Sequence, residues 1–156
     1  MSEAQVQVQL RIERIYVKDA SFESPGAPEI FTTQGRPQMH VDINTHANEL
    51  GDNRHEVVLR ATVESKLQDD KVAYLVEVQQ AGLFFIEGPT GEALRQVQSI
   101  HCPSALFPYL RETLDHLLLK GGFPPLALAP VNFEALYSQA VQQRQQQAAE
   151  GGPTTH

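Results

Sequence analysis

The chain has 156 residues, enough for one domain with a real core and too few for two of ordinary size. A formal net charge of -7 repels phosphate backbones and anionic membrane surfaces, which argues against nonspecific nucleic-acid binding and against membrane docking. One cysteine, Cys102, excludes a disulfide within the chain, and the absence of a long apolar run or a secretory pattern points to a soluble, cytoplasmic protein.

Val6, Val8, Leu10 and Ile12 alternate with polar residues and predict a first strand. Ile15 and Val17 then move the apolar row to the opposite parity, so either a bulge re-aims the side chains or both faces are covered. An edge strand of that kind needs something to pair with, which makes it a candidate subunit contact; ordinary packing under the following loop is the other reading. Residues 19–37 contain three prolines and two glycines and predict a long ordered loop, with Phe22, Ile30 and Phe31 docking on a neighbouring surface. Met39, Val41 and Ile43 mark a second strand, followed by a polar connection over 45–54.

Val57, Leu59, Ala61 and Val63 form an apolar row with period two, and Val72, Tyr74, Val76 and Val78 form another. The polar Gln68–Lys71 turn between them predicts an antiparallel hairpin reaching from Val57 to Ile86. Glu87–Gly91 ends the fourth strand and lacks the glycines and lysine of a phosphate loop. From Pro103 the period changes: Leu106, Leu110, Leu114, Leu117 and Leu118 predict an amphipathic helix, with Pro108 near its first turn and Lys120-Gly121-Gly122 as its stop. Residues 121–130 are too proline-rich for a helix and should lie extended over apolar surface. Asn132 is placed to cap a second helix bearing Phe133, Leu136, Tyr137, Ala140 and Val141. The expected division is a domain over 1–143 and a flexible Gln-rich tail over 144–156, ending in a mobile GGPTTH.

Four antiparallel strands followed by two helices make an α+β fold. One helix can hardly cover such a sheet while also hiding Phe84, Phe85, Leu106 and Phe107. Either another subunit completes the core or apolar surface stays open as a groove; a monomer with both helices folded onto the sheet is the third arrangement.

Catalytic chemistry is thinly represented. His40 and Asp42 share one side of a strand, with His46 and His55 nearby in sequence, but the spacing is not that of a metal site. His101 and Cys102 are adjacent and so point apart, which leaves Cys102 as a small buried residue before a helix. Asp69-Asp70 reads as a solvated turn. Asp19, Glu23 and Glu77 form an acidic docking patch if the loop folds beside the fourth strand, and are otherwise ordinary solvated charges. No catalytic, cofactor-binding or metal site is predicted.

The segments KDASFESPGAP (18–28), EVVLRATVESKL (56–67), YLVEVQQAGLF (74–84), CPSALFPYLRE (102–112) and GGFPPLALAPVNFEALY (121–137) together resemble the SecB family of bacterial protein-export chaperones. The resemblance runs in unbroken order over about residues 5–143. It implies a four-stranded antiparallel sheet with a long crossover loop and two C-terminal helices. It further implies a homotetramer built as a dimer of dimers, the first strand pairing within a dimer and the long first helix packing between opposing sheets. The implied function is an ATP-independent holding chaperone that binds unfolded precursor proteins and delivers them to the SecA translocase motor.

The family's motor-docking positions fall on Asp19, Glu23, Leu75 and Glu77. Leu75 and Glu77 have the parity opposite to Tyr74, Val76 and Val78 and should face outward. Candidates for a client groove are Phe22, Phe31, Phe84, Leu126 and Leu128, with core packing as the competing reading and Phe84 nearer to core. The family often carries an acidic C-terminal tail, whereas Glu150 is the sole acidic residue after Glu134 here. An adaptor that binds folded partners is the alternative function.

Overall fold

The structure is a computed structural model and describes residues 7–150. The expectations for Val6 and for GGPTTH lie outside the described residues. Four strands, β1 (Gln9–Glu23), β2 (Gln38–Gly51), β3 (Arg54–Lys66) and β4 (Val72–Glu87), form one sheet in the order β1-β4-β3-β2. Every neighbouring pair is antiparallel. The chain crosses from one edge to the other between β1 and β2 through a loop whose short 3-10 turn (Glu29–Phe31) buries Ile30.

The parity change in β1 is a pair of bulges. Pairing with β4 skips Glu13 and Lys18, so Leu10, Ile12, Ile15, Val17, Ala20 and Phe22 stand opposite Ile86, Phe84, Gly82, Gln80, Val78 and Val76 on a single face. The strand also runs further than its pattern suggests: residues 19–23 belong to β1, not to the loop. The second bulge hides them, because it breaks the alternation just before Asp19. Likewise β2 continues through most of the expected polar connection to Gly51. As an edge strand it needs no continuous apolar row, since the ladder to β3 holds one side of its backbone and water reaches the other. The reversal takes two residues, Asp52 and Asn53, with φ of 54° and 61°. Both lie in the left-handed region that a tight hairpin turn requires and that Asp and Asn tolerate.

The central hairpin is as expected. Val57, Leu59, Ala61 and Val63 are fully buried, facing Val76, Val78 and Phe84 of β4 and the leucines of a long helix. That helix begins well before Pro103. It comprises α1 (Gly91–Gln96), a π turn (Val97–His101) and α2 (Cys102–Lys120) in continuous succession. Residues 91–96 are too polar to show a stripe. The Cys102 N–H bonds to the Val97 carbonyl, five residues back. A wider turn here gives room to the Pro103 ring, which in a regular helix would press on the carbonyl four residues before it. Pro108 lies inside α2, beyond the first turn where it was expected, and Cys102 opens α2 instead of preceding the helix.

α2 lies across β4 and β3 with Leu106, Leu110, Leu114 and Leu118 fully buried. One polar side chain sits in this interface with its bonds satisfied. Gln80 donates from Nε2 to the Tyr16 carbonyl at 3.2 Å and accepts at Oε1 from the Thr113 hydroxyl at 3.1 Å. The helix stops at the predicted glycines. Gly122, at φ 86°, donates to the Leu119 carbonyl at 3.1 Å and Phe123 donates to that of Leu118 at 2.9 Å. These two bonds make a Schellman ending. After an extended connector, Asn132 Oδ1 accepts the Ala135 N–H at 3.0 Å and caps α3 (Phe133–Glu150). Within α3, Phe133 is buried, Leu136 is exposed, and the helix continues past residue 143.

The helices leave much of the inner sheet face uncovered. Leu10, Ile12 and Val17 on β1 are 38%, 49% and 47% exposed, and Met39 and Val41 on β2 are also open. Exposed Tyr109 and Leu119 lie on α2.

Candidate functional site

Two surfaces stand back to back on the same stretch of sheet. On the inner face, the end of β1 brings Phe22 over Tyr74 of β4, with ring centroids 6.2 Å apart and nearly parallel planes. Phe123, the first residue beyond the α2 stop, closes on both rings: its centroid lies 4.8 Å from that of Tyr74 and 6.2 Å from that of Phe22. Phe31, from the crossover loop, approaches Phe123 at 5.3 Å and is 52% exposed. Four separate parts of the chain thus build one aromatic cluster.

Beside it lies an apolar recess of about 190 Å³ lined by Ile30, Met39, Leu67, Tyr74, Phe123 and Pro124. The Tyr74 hydroxyl donates to Met39 Sδ at 3.3 Å. Burial, and then the charge of Asp115, push the Tyr74 phenol above its ordinary pKa. Gly121 is needed for the close approach of helix end and strand, because a Cβ there would sit 2.1 Å from the Phe22 ring.

Of the predicted groove residues, Phe22 and Phe31 join this cluster through Phe123. Leu126 and Leu128 follow on the connector, half-buried against the core. Phe84 is not a groove residue. It is fully buried in the core, and Gly82 makes room for its ring, since a Cβ on Gly82 would fall 2.5 Å from it. Tyr74 and Phe123 are cluster members that sequence reasoning missed. Tyr74 merely extended a strand row, and the available signal for Phe123 was an aromatic residue directly after a glycine helix stop.

The outer face carries the predicted docking residues. Glu23 pairs with Leu75, Ser21 with Glu77 and Asp19 with Gln79, so Asp19, Glu23, Leu75 and Glu77 share one face of two adjacent strands. Glu77 is not a free charge: Arg60 on β3 reaches it at 2.9 Å. Farther along this face, Glu56 accepts from Lys18 at 2.6 Å and from the Tyr16 hydroxyl, tying β3 to β1 across β4. Arg11 stacks over Phe85, 4.4 Å from the ring centroid.

Other features carry no catalytic arrangement. Burial pushes the Cys102 thiol up to about 12, which keeps it protonated and unreactive. Among the described residues no group of three or more His, Cys, Asp or Glu is placed to hold a metal ion, and no helix is long and apolar enough to cross a membrane. A larger hollow of about 460 Å³ between α1 and α3 is lined by Glu92, His101, Glu134, Tyr137 and neighbours. Its lining mixes these charged and polar groups with Ile100 and Val141 and so is less apolar than that of the aromatic recess.

Comparison with known proteins gives concordant results. The family model for the preprotein translocase subunit SecB matches residues 3–144. The protein-export protein SecB of Marinobacter nauticus is 51% identical over 148 residues, covering 95% of this chain and 89% of that protein. The protein of the same name from Hahella chejuensis is 47% identical over 156 residues, with 99% and 98% coverage. Among solved structures, a Mycobacterium tuberculosis SecB-like chaperone in complex with a ChAD peptide from the HigA1 antitoxin superposes with a TM-score of 0.62 at 20% identity. The superposition covers 78% of this chain and 90% of that one, a likeness of fold.

Proposed function

The chain belongs to the SecB family of protein-export chaperones, a non-enzymatic family, and from that premise we propose that it is an ATP-independent holding chaperone. It binds nonnative precursor proteins in the cytoplasm, keeps them export-competent and passes them to the SecA translocase motor. The observation that carries this reading is the aromatic cluster of Phe22, Phe31, Tyr74 and Phe123 beside an apolar recess. A protein that accepts unrelated unfolded chains needs adaptable apolar area, not a shape-matched polar pocket. Burial at about 25 cal/mol per Å² holds an extended segment without covalent chemistry or nucleotide.

In the same reading the chain assembles as a homotetramer, a dimer of dimers. The exposed row Leu10, Ile12 and Val17 on an edge strand favours pairing of two copies through β1, and exposed Tyr109 and Leu119 on α2 favour stacking of the resulting dimers. Several recesses on one particle hold a long client by effective concentration. SecA docks on the outer face at Asp19, Glu23, Leu75 and Glu77, where the carboxylates steer a basic partner.

The test mixes the purified protein with one precursor, either diluted from denaturant or already folded, and reads complex mass by size-exclusion chromatography with light scattering. A tetramer that retains the nonnative form alone, without nucleotide, is expected. Equal retention of the folded form would make the protein an adaptor, and no retention of several nonnative precursors would sink the chaperone reading.

A further inference from the structure

We propose that Asp115 is a positioning residue for the client recess: its carboxylate latches the proline-rich connector onto α2 and thereby sets the wall formed by Phe123 and Pro124. This rests on the reading of the recess as the client site.

After the Schellman ending the chain reverses and runs back along α2. Its supply of backbone donors is small. Pro124, Pro125 and Pro130 have no N–H, and that of Phe123 is taken by the helix end. The next two donors, Leu126 N–H and Ala127 N–H, both reach Asp115 Oδ1, at 3.0 and 3.3 Å. One turn earlier on the helix, Arg111 Nη1 lies 3.5 Å from the Leu128 carbonyl, at the outer limit of a hydrogen bond. Asp115 and Arg111 therefore meet the connector in register, the acid on its donors and the base on its acceptor.

The connector's shape calls for such a partner. Ala127 has φ of 49°, in the left-handed region that alanine rarely adopts. Asp115 Oδ1 accepts the N–H of this residue and of the one before it, and a charged acceptor makes both bonds stronger than neutral ones. Among the described residues Asp115 has no ion-pair partner, so its charge is spent on the connector.

A wall held in place before the client arrives spares the client the entropy of ordering it. Releasing the latch frees Phe123 from Tyr74 and loosens the recess without disturbing the leucine core of α2.

The test uses full-length Asp115→Ala and Asp115→Asn, the second keeping an acceptor oxygen without the charge. Amide hydrogen exchange is read at Leu126 and Ala127 and in β3, together with affinity for one denatured precursor. Loss of the bonds in D115A is expected to speed exchange at the two connector amides about tenfold or more, leaving β3 protection unchanged. Client affinity is expected to fall about three- to tenfold, with D115N between the alanine variant and the parent. Unchanged exchange at Leu126 and Ala127 would overturn the latch. Faster exchange with unchanged client affinity would overturn its role in positioning the recess. Failure of the parent protein to bind the denatured precursor would overturn the client-site reading instead, while the exchange measurement still decides the latch. Should D115A lose its fold, shown by lost β3 protection, D115N decides by the same readouts.

Discussion

Glu56 shows how one side chain joins strands that are not neighbours. It lies on β3, and the groups it binds, Lys18 and Tyr16, lie on β1 with β4 between them. The bond from Lys18, and next that from Tyr16, hold the Glu56 carboxyl below its ordinary value of 4.5. Burial, and then the bond to Glu56, push the Tyr16 phenol from 10.0 up to about 12. The two shifts act at opposite ends of the pH scale. A carboxyl lowered in the folded state adds stability above 4.5 and loses it as pH falls through the lower folded value. A phenol raised in the folded state adds stability below 10.0 and loses it as pH rises toward 12. Tyr16→Phe should therefore weaken the alkaline loss while keeping most of the acid one, and Glu56→Gln should reduce both. Urea unfolding at a series of acid and alkaline pH values checks this, and an unaltered acid limb in Glu56→Gln would contradict it.

At the scale of the element, β1 depends on its bulges. A one-residue slip in a strand sends every following side chain to the other face. Deleting Glu13 removes the first bulge, so either Leu10 and Ile12 or the rest of the strand must turn from the inner row. If the inner row is the contact between copies, the deletion variant should dissociate at concentrations where the parent chain stays assembled. Light scattering across a dilution series measures it, and identical masses at every concentration would remove β1 from the interface. Residues 19–23 explain the same device from the functional side. The Lys18 bulge lets Phe22 face the recess while Asp19 and Glu23 face outward.

For the whole molecule, the consequence is that the residues proposed for client and for motor occupy opposite faces of the same two strands. Phe22 and Tyr74 look inward; Glu23, Leu75 and Glu77 look outward. Under the proposed function, a motor docking on the outer face would leave a client on the inner face in place, as a handover requires. Glu77 already shares its charge with Arg60, so part of its attraction to a basic partner is spent within the sheet. Glu77→Lys removes that attraction and also sets a lysine beside Arg60. SecA affinity at low salt should fall about tenfold or more and its dependence on salt should flatten, with client holding intact. Unchanged SecA affinity across salt concentrations would remove Glu77 from the docking site.

Periodicity alone determined the hairpin of Val57–Ile86, the leucine face of α2, the glycine stop after Lys120 and the Asn132 cap, because each is a local rule read along one element. The shared outward parity of Leu75 and Glu77 was legible for the same reason. Edges and irregular turns were not. Bulges at Glu13 and Lys18 disguise a continuous inner row; an edge strand such as β2 needs no apolar alternation to be held; and the polar residues of α1 are helical as the forward end of a helix anchored in the core. The fate of Phe84 and the meeting of Phe22, Phe31, Tyr74 and Phe123 depend on register and on how far α2 runs before it stops. Asp115 could be recognised only when the reversing connector had laid two backbone donors against it. A pattern along the chain states which face of an element is apolar, and tertiary contact decides what that face meets.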